Sequence, residues 1–225
     1  MPLPTSSFYL PNTQLYQPTP PPLSTVIENI LPSVNTKNNL SKGLQSSSGL
    51  VQHCTALALG RCLTKYRAVV EHFHKIAGTL EEDEEEGQWY KRCRELEREV
   101  RRRVPDFQVV VAFSQQKHVG RSALHAQVNE TKVTLLAESA QRLLCLYHSC
   151  LPSLVAEARF DVGKLLQTFS QDPGVDPGAG HEEDLPNAAS RLYRVQKLHV
   201  LKLLKNSDQF NWTGKIGGYS LIGLP

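Results

Sequence analysis

The amino-acid sequence predicts an all-α fold, on three observations. First, the stretch Leu50–Ile76, LVQHCTALALGRCLTKYRAVVEHFHKI, sets apolar residues at Leu59, Leu63, Tyr66, Val70 and Phe73. The steps of 4, 3, 4 and 3 are the rhythm of one helix face. Second, four later segments keep that rhythm, beginning at Trp89, Val133, Val155 and Ala188. Third, the one β-branched run, FQVVVAF at Phe107–Phe113, has no second strand to pair with. A lone strand leaves its backbone groups unpaired, so this run is expected to be helix. The helices, about seven of them, alternate with short turns and two long loops, as antiparallel pairs stacked in order do. No fixed repeat period is visible, so a solenoid built this way is a degenerate one.

Taken in order, residues 1–22 are rich in Pro, Ser and Thr and are expected to be extended and mostly disordered. Thr25 and Glu28 have the spacing of a capping box for a short helix with Val26, Ile27 and Ile30 apolar, stopped by Pro32. Residues 33–49, rich in Asn, Ser and Gly, read as a loop, and Ser47 or Ser48 then caps the long helix. Within that helix Leu50, Cys54 and Leu57 add a second apolar stripe, so neighbours must bury it on more than one side. Gly78 is its expected end, followed by the acidic run Glu81, Glu82, Asp83, Glu84, Glu85 and Glu86 in an open, solvated loop over 77–87. Trp89, Cys93, Leu96 and Val100 form the inward face of the next helix, which Pro105 terminates.

Asp106 is placed to cap the Phe107 helix. Ser122 caps a segment with Leu124 and Val128, and Val133, Leu136, Ala140, Leu143 and Tyr147 mark another face. Pro152 breaks the chain, and Ser153 caps a helix carrying Val155, Ala158, Val162, Leu165 and Phe169. Residues 170–187, with two DPG turns, form a long loop. Asn187 caps the last helix, with Ala188, Leu192, Val195, Leu198 and Leu201 expected to face inward. The domain plan is therefore a Pro-rich segment at 1–22, a helical repeat-like domain at 23–206, and an irregular apolar tail at 207–225, as expected of a piece cut from a longer chain.

Composition narrows the function classes. Hydrophobic residues make up 40% and charged residues 21% of 225 residues, ordinary for a globular chain. A net charge of +3 imposes no global field that demands nucleic acid. Cys54, Cys62, Cys93, Cys145 and Cys150 form no CxxC pair and lie in predicted helices, which suits reduced structural thiols in an intracellular protein. The start has neither the basic nor the apolar region of a signal peptide. No apolar run reaches the roughly 20 residues of a membrane helix. The sequons at Asn39, Asn129 and Asn211 are then chance matches.

Site chemistry is sparse. His72 and His74, two apart, point to different sides of a helix, and Cys145, His148 and Cys150 supply at most three ligands where a structural zinc takes four. No GxSxG elbow, GxxxxGK[ST] loop or GxGxxG turn occurs, and GKIGG at Gly214–Gly218 has the wrong context. The acidic run offers carboxylates with nothing to separate their pKa values, as acid–base work requires. These features predict no enzyme, no cofactor and no small-molecule substrate. One charged face stands out. Lys91, Arg92, Arg94, Arg98, Arg101, Arg102 and Arg103 outnumber three acidic residues over Lys91–Arg103 and offer a candidate surface for RNA phosphates. Pairs such as Glu95 with Arg98 are the competing, purely structural use of those charges.

Four segments in order resemble a known family. LVQHCTALALGRCLTKY, VPDFQVVVAF, RFDVGKLL and HVLKLLKNSDQFNW are similar to the N-terminal region of the nucleolar pre-ribosomal-associated protein family, over about Lys42 to Trp212. The resemblance implies an armadillo/HEAT-like α-solenoid in the nucleus, specifically the nucleolus. It implies a scaffold for large (60S) ribosomal subunit biogenesis and for maturation of 5.8S and large-subunit rRNA. Partners would be pre-60S assembly factors and rRNA, with no membrane. It carries over no catalytic residue. In this reading Val104-Pro105-Asp106-Phe107 and Arg159-Phe160-Asp161 fix helix packing, with Phe107 and Phe160 as buried anchors. The alternative is a helical-repeat adaptor unrelated to ribosomes, binding a peptide or helix in a groove.

Overall fold

In a computed structural model, residues 8–115, 126–158, 188–206, 215–216 and 219–220 are described. They form helices α1 (Leu23–Ile30), α2 (Lys37–Leu44), α3 (Gly49–Thr79), α4 (Gln88–Arg103), α5 (Phe107–Gln115), α6 (Ala126–Cys150), α7 (Pro152–Ala156) and α8 (Ala188–Asn206). The fold of these residues is all-α; a pair of two-residue strands, β1 (Lys215–Ile216) and β2 (Tyr219–Ser220), is antiparallel within the segment expected to be irregular. The expected anchor Phe160, the Arg159-Phe160-Asp161 motif, the 170–187 loop and the Ser122 cap lie outside the described residues.

The long helix is the axis of the core. Leu59, Leu63, Tyr66 and Phe73 are buried as their spacing predicts, and Ile76 and Ala77 extend the stripe. Its N-terminal half lies on α6 in parallel. Gly49 sits against Lys132 and Leu136, His53 Nδ1 is 2.9 Å from Ser139 Oγ, and Gly60 faces Leu143 and Leu146. α8 continues the layer, again parallel. Gln196 Nε2 donates to the Thr134 carbonyl at 2.8 Å, and His199 Nε2 lies 3.2 Å from Glu138 Oε1. α4 returns antiparallel along the C-terminal half of α3, pairing Phe73 with Trp89 and His74 with Tyr90. Parallel neighbours require a crossover between them. α4 and α5 supply it between α3 and α6.

Several turns differ from expectation. α3 runs past Gly78. It stops where Glu81 enters the left-handed region (φ 52°), Glu82 N–H donates to the Ala77 carbonyl and Glu81 N–H to the Gly78 carbonyl. This is a Schellman closure with glutamate in the place usually held by glycine. The acidic run is folded rather than open. Asp83 Oδ1 accepts from Glu85 N–H at 2.8 Å and Glu86 N–H at 2.9 Å, and Glu82 Oε2 accepts from Trp89 N–H at 2.9 Å. The two backbone bonds hold the Asp83 carboxyl below the usual carboxylate range. Local donors thus offset the repulsion of six acids.

The expected loop at 33–49 contains α2. Thr36 Oγ1 caps it by accepting from Asn39 N–H, and Leu40 and Leu44 are buried. Two apolar residues are too few for a visible period. Gly43 is required by closeness, because a Cβ there would fall 2.3 Å from Thr55 Oγ1 on α3. The capping box at α1 does not form. Pro22 occupies the N-cap, and Glu28 instead accepts from Ser33 N–H and from Arg103. Ser48 precedes α3 without a side-chain cap, and Ser153 donates to Glu97 Oε1 rather than capping α7. α6 is one helix where two were expected.

The Pro-rich segment is the largest correction, because residues 8–22 are ordered. Tyr9 and Tyr16 stack at 4.9 Å across a tight loop in which Gln17 N–H donates to the Phe8 carbonyl. Phe8 is buried against Phe73 and Trp89 in edge-on contacts of 5.6 and 6.0 Å. Proline restricts the unfolded chain, so ordering this segment loses less entropy than its length suggests. Three aromatics supply the apolar area that a disordered segment lacks.

FQVVVAF is α5, helical as expected, with Phe107, Val110, Val111 and Phe113 buried. Tyr147 on α6 stands beside Phe107 and donates its hydroxyl to the Pro105 carbonyl at 2.9 Å, fully buried. Burial pushes the phenol pKa well up, so it stays a donor. Tyr147→Phe keeps the ring and orphans that carbonyl. The expected loss is about 1–3 kcal/mol by urea unfolding. An unchanged midpoint would show the bond to be dispensable.

Candidate functional site

The basic residues of α4 are largely committed inside the molecule. Arg94 donates to the carbonyls of Glu84 and Glu85, closing the acidic turn. Arg92 donates to the Pro21 carbonyl, and its Nε lies 3.0 Å from Glu95 Oε2 without hydrogen-bond alignment. Arg101 pairs with Glu157 at 2.6 Å and Arg102 with Glu99 at 3.2 Å. Arg103 bridges Glu99 (2.8 Å) and Glu28 (2.9 Å), tying α1 to α4. The Glu28 hydrogen bond raises the Arg103 pKa. Of the seven candidate phosphate contacts, only Lys91 and Arg98 are exposed with no partner among the described residues. Two cations give weak, salt-sensitive attraction for a polyanion. Reversing Arg101, Arg102 and Arg103 together to Glu sets like charges against Glu28, Glu99 and Glu157. The expected result is a stability loss of about 1–3 kcal/mol. Full stability together with lost RNA association would restore them as phosphate contacts.

No group of three or more His, Cys, Asp or Glu that could hold a metal ion occurs among the described residues. His148 lies edge-on to Phe107, and burial lowers its pKa. Burial raises the thiol pKa of Cys62, Cys93, Cys145 and Cys150, the second and third to about 12, which keeps these thiols protonated and unreactive. No disulfide joins the five cysteines.

Among the described residues one Ser–His contact occurs, Ser139 with His53. The Ser139 hydroxyl also donates to the Leu135 carbonyl, one turn back on its own helix, and the residue is buried. A nucleophile needs access to substrate and a free proton for its base, and this serine has neither. The contact joins α3 to α6.

The strongest electrostatic feature is a buried carboxylate. Glu138 on α6 is 2% exposed and is shared between Arg142 and His199. Burial pushes its pKa up, but the hydrogen bonds from His199 and Arg142 and the guanidinium charge outweigh that and hold it at about 2. The cluster fastens α8 to α6.

α8 itself is turned differently from the predicted register. Gln196, Val200 and Leu203 are buried, whereas Val195, Leu198 and Leu201, expected inward, are exposed. Two polar anchors, Gln196 to Thr134 and His199 to Glu138, select the inward face over the apolar count. Arg191, Arg194, Lys202 and Lys205 are exposed with them. The visible signal was that Ala188–Asn206 contains basic residues and no acidic one. The α3 stripe of Leu50, Cys54 and Leu57 is also exposed. No helix among the described residues is long and apolar enough to cross a membrane. No protein-family model, curated protein or solved structure matches the chain. Among the described residues the fold is all-α, and α8 and the N-terminal part of α3 leave apolar side chains exposed.

Proposed function

We propose that the chain is a non-enzymatic scaffold, a degenerate armadillo/HEAT-like solenoid segment acting in nucleolar assembly of the large (60S) ribosomal subunit and in maturation of 5.8S and large-subunit rRNA. The observation that carries the scaffold reading is the stacking of α3, α6 and α8 in parallel, with α4 returning antiparallel. That layer order is how helical repeats bury one face on the previous unit and leave another outward. The ribosomal reading rests on the family resemblance. Its first motif is the N-terminal part of α3, its second the Pro105 turn with α5, and its fourth starts at the end of α8. Partners are pre-60S assembly factors and rRNA, for which Lys91 and Arg98 are the two α4 cations with no partner among the described residues. The test is localisation of the tagged chain and sedimentation of extracts. Nucleolar signal and co-migration with large-subunit precursors support the reading, and diffuse signal with sedimentation as a free protein overturns it.

The second reading, a helical adaptor unrelated to ribosomes, is favoured by one observation. The basic helix that nominated RNA spends five of its seven cations on internal partners, while exposed apolar side chains stand on α8.

A further inference from the structure

We propose that the outward face of α8 docks an acidic amphipathic helix of a partner protein. Val195, Leu198 and Leu201 are 38%, 56% and 59% exposed, and their spacing of three makes an oblique ridge along the helix. Arg191, Arg194, Lys202 and Lys205 surround the ridge and form no ion pair among the described residues. α4 provides the contrast within the same chain. Five of its seven cations are met by carboxylates and carbonyls, from α1, α4 itself, α7's C-terminal side, the N-terminal segment and the acidic turn. Among the described residues no carboxylate pairs with Arg191, Arg194, Lys202 or Lys205.

The mixture of side chains selects the occupant. Phosphates would use the four cations, but exposed leucines standing between them give a polyanion nothing and would lose water for no return. A bilayer surface calls for a broad apolar face, and this ridge is three side chains with cations interleaved. A helix with leucines at i, i+3 or i+4 and i+7 packs its own ridge beside this one, and glutamates on its flanks meet all four cations. The face points away from α6, so docking needs no rearrangement of the Glu138 cluster. The inference does not depend on the ribosomal reading, and either can fail without the other.

The test uses the full chain and a fluorescein-labelled designed peptide of about 18 residues, long enough for five turns. Its leucines lie on one stripe and its glutamates flank them. A permuted peptide of the same composition is the control, and binding is read by fluorescence anisotropy. The patterned peptide is expected to bind at least about tenfold more tightly than the permuted one, and more weakly as salt is raised. Leu198→Asp with Leu201→Asp, and separately Arg194→Glu with Lys202→Glu, should each weaken binding about tenfold with melting temperature unchanged. Several results overturn the proposal: equal binding of both peptides, no binding, or α8 variants that bind as the parent does. Preferential α8-dependent binding of oligouridine or phosphatidylserine vesicles also overturns it. So does a dimer of the chain that the Leu198 and Leu201 changes dissolve.

Discussion

Replacing Trp89 with alanine is expected to cost about 3–5 kcal/mol of stability. The indole is fully buried where three segments meet, edge-on to Phe73 at 5.0 Å and to Phe8 at 6.0 Å. Its Nε1–H donates to the Gln17 carbonyl at 3.1 Å. Alanine therefore removes the largest side chain of the cluster, two aromatic contacts and the bond that fastens the N-terminal loop. Trp89→Phe keeps most of the packing and loses the bond, so it should cost less than half as much. Far-UV circular dichroism during urea unfolding measures both, since removing Trp89 changes the fluorescence signal itself. A companion outcome separates packing from helix propensity: in the alanine variant, the Phe8–Gln17 loop should become sensitive to limited proteolysis. A loss below about 1 kcal/mol would mean that the cluster is loosely packed.

Arg142→Met is the second large effect, expected to cost about 3 kcal/mol at neutral pH and less in acid. Glu138 is buried, and its carboxylate depends on Arg142 and His199. In the parent, the folded pKa is depressed from 4.5 to about 2. The stability it contributes is therefore fully present above about pH 4.5 and lost as pH falls toward 2. Without the guanidinium, its hydrogen bond and its charge no longer oppose burial, so the folded pKa rises from that of the parent. The variant then carries a penalty at neutral pH that disappears as the carboxyl protonates. The gap between parent and variant in thermal melts should narrow steadily below about pH 5. A pH-independent gap would mean that Arg142 acts through packing of its stem alone.

How far the sequence could be read depends on where each helix finds its partner. α3, α4 and α5 were legible because their burial is apolar and regular: Leu59, Leu63, Trp89, Leu96 and Phe107 face inward as their spacing predicts. α2 was hidden because Leu40 and Leu44 are too few to establish a period. The N-terminal segment was misread because proline content outweighed Phe8, whose partner lies 81 positions away at Trp89. The basic face of α4 was visible as charge, but Arg92 and Arg103 bind the Pro21 carbonyl and Glu28, 71 and 75 positions away, through contacts that no local window contains. α8 failed for the opposite reason. Val195, Leu198 and Leu201 make a respectable apolar stripe, yet two buried polar bonds turn the helix so that the stripe faces outward.

The Phe8 pocket also orders events while the chain is being made. Phe8 and the Gln17 carbonyl leave the ribosome early, but Phe73 and Trp89, which enclose them, emerge tens of residues later. At about 5–20 residues per second the N-terminal aromatics spend several seconds without a binding site. Their Pro-rich surroundings suit that interval, because a stiff segment with three aromatics has little of its own to collapse upon. The α3–α4 hairpin can close before the loop arrives. The loop closes on a pocket made by both helices, so a tag fused close to Phe8 is expected to perturb that closure rather than the outward face of α8.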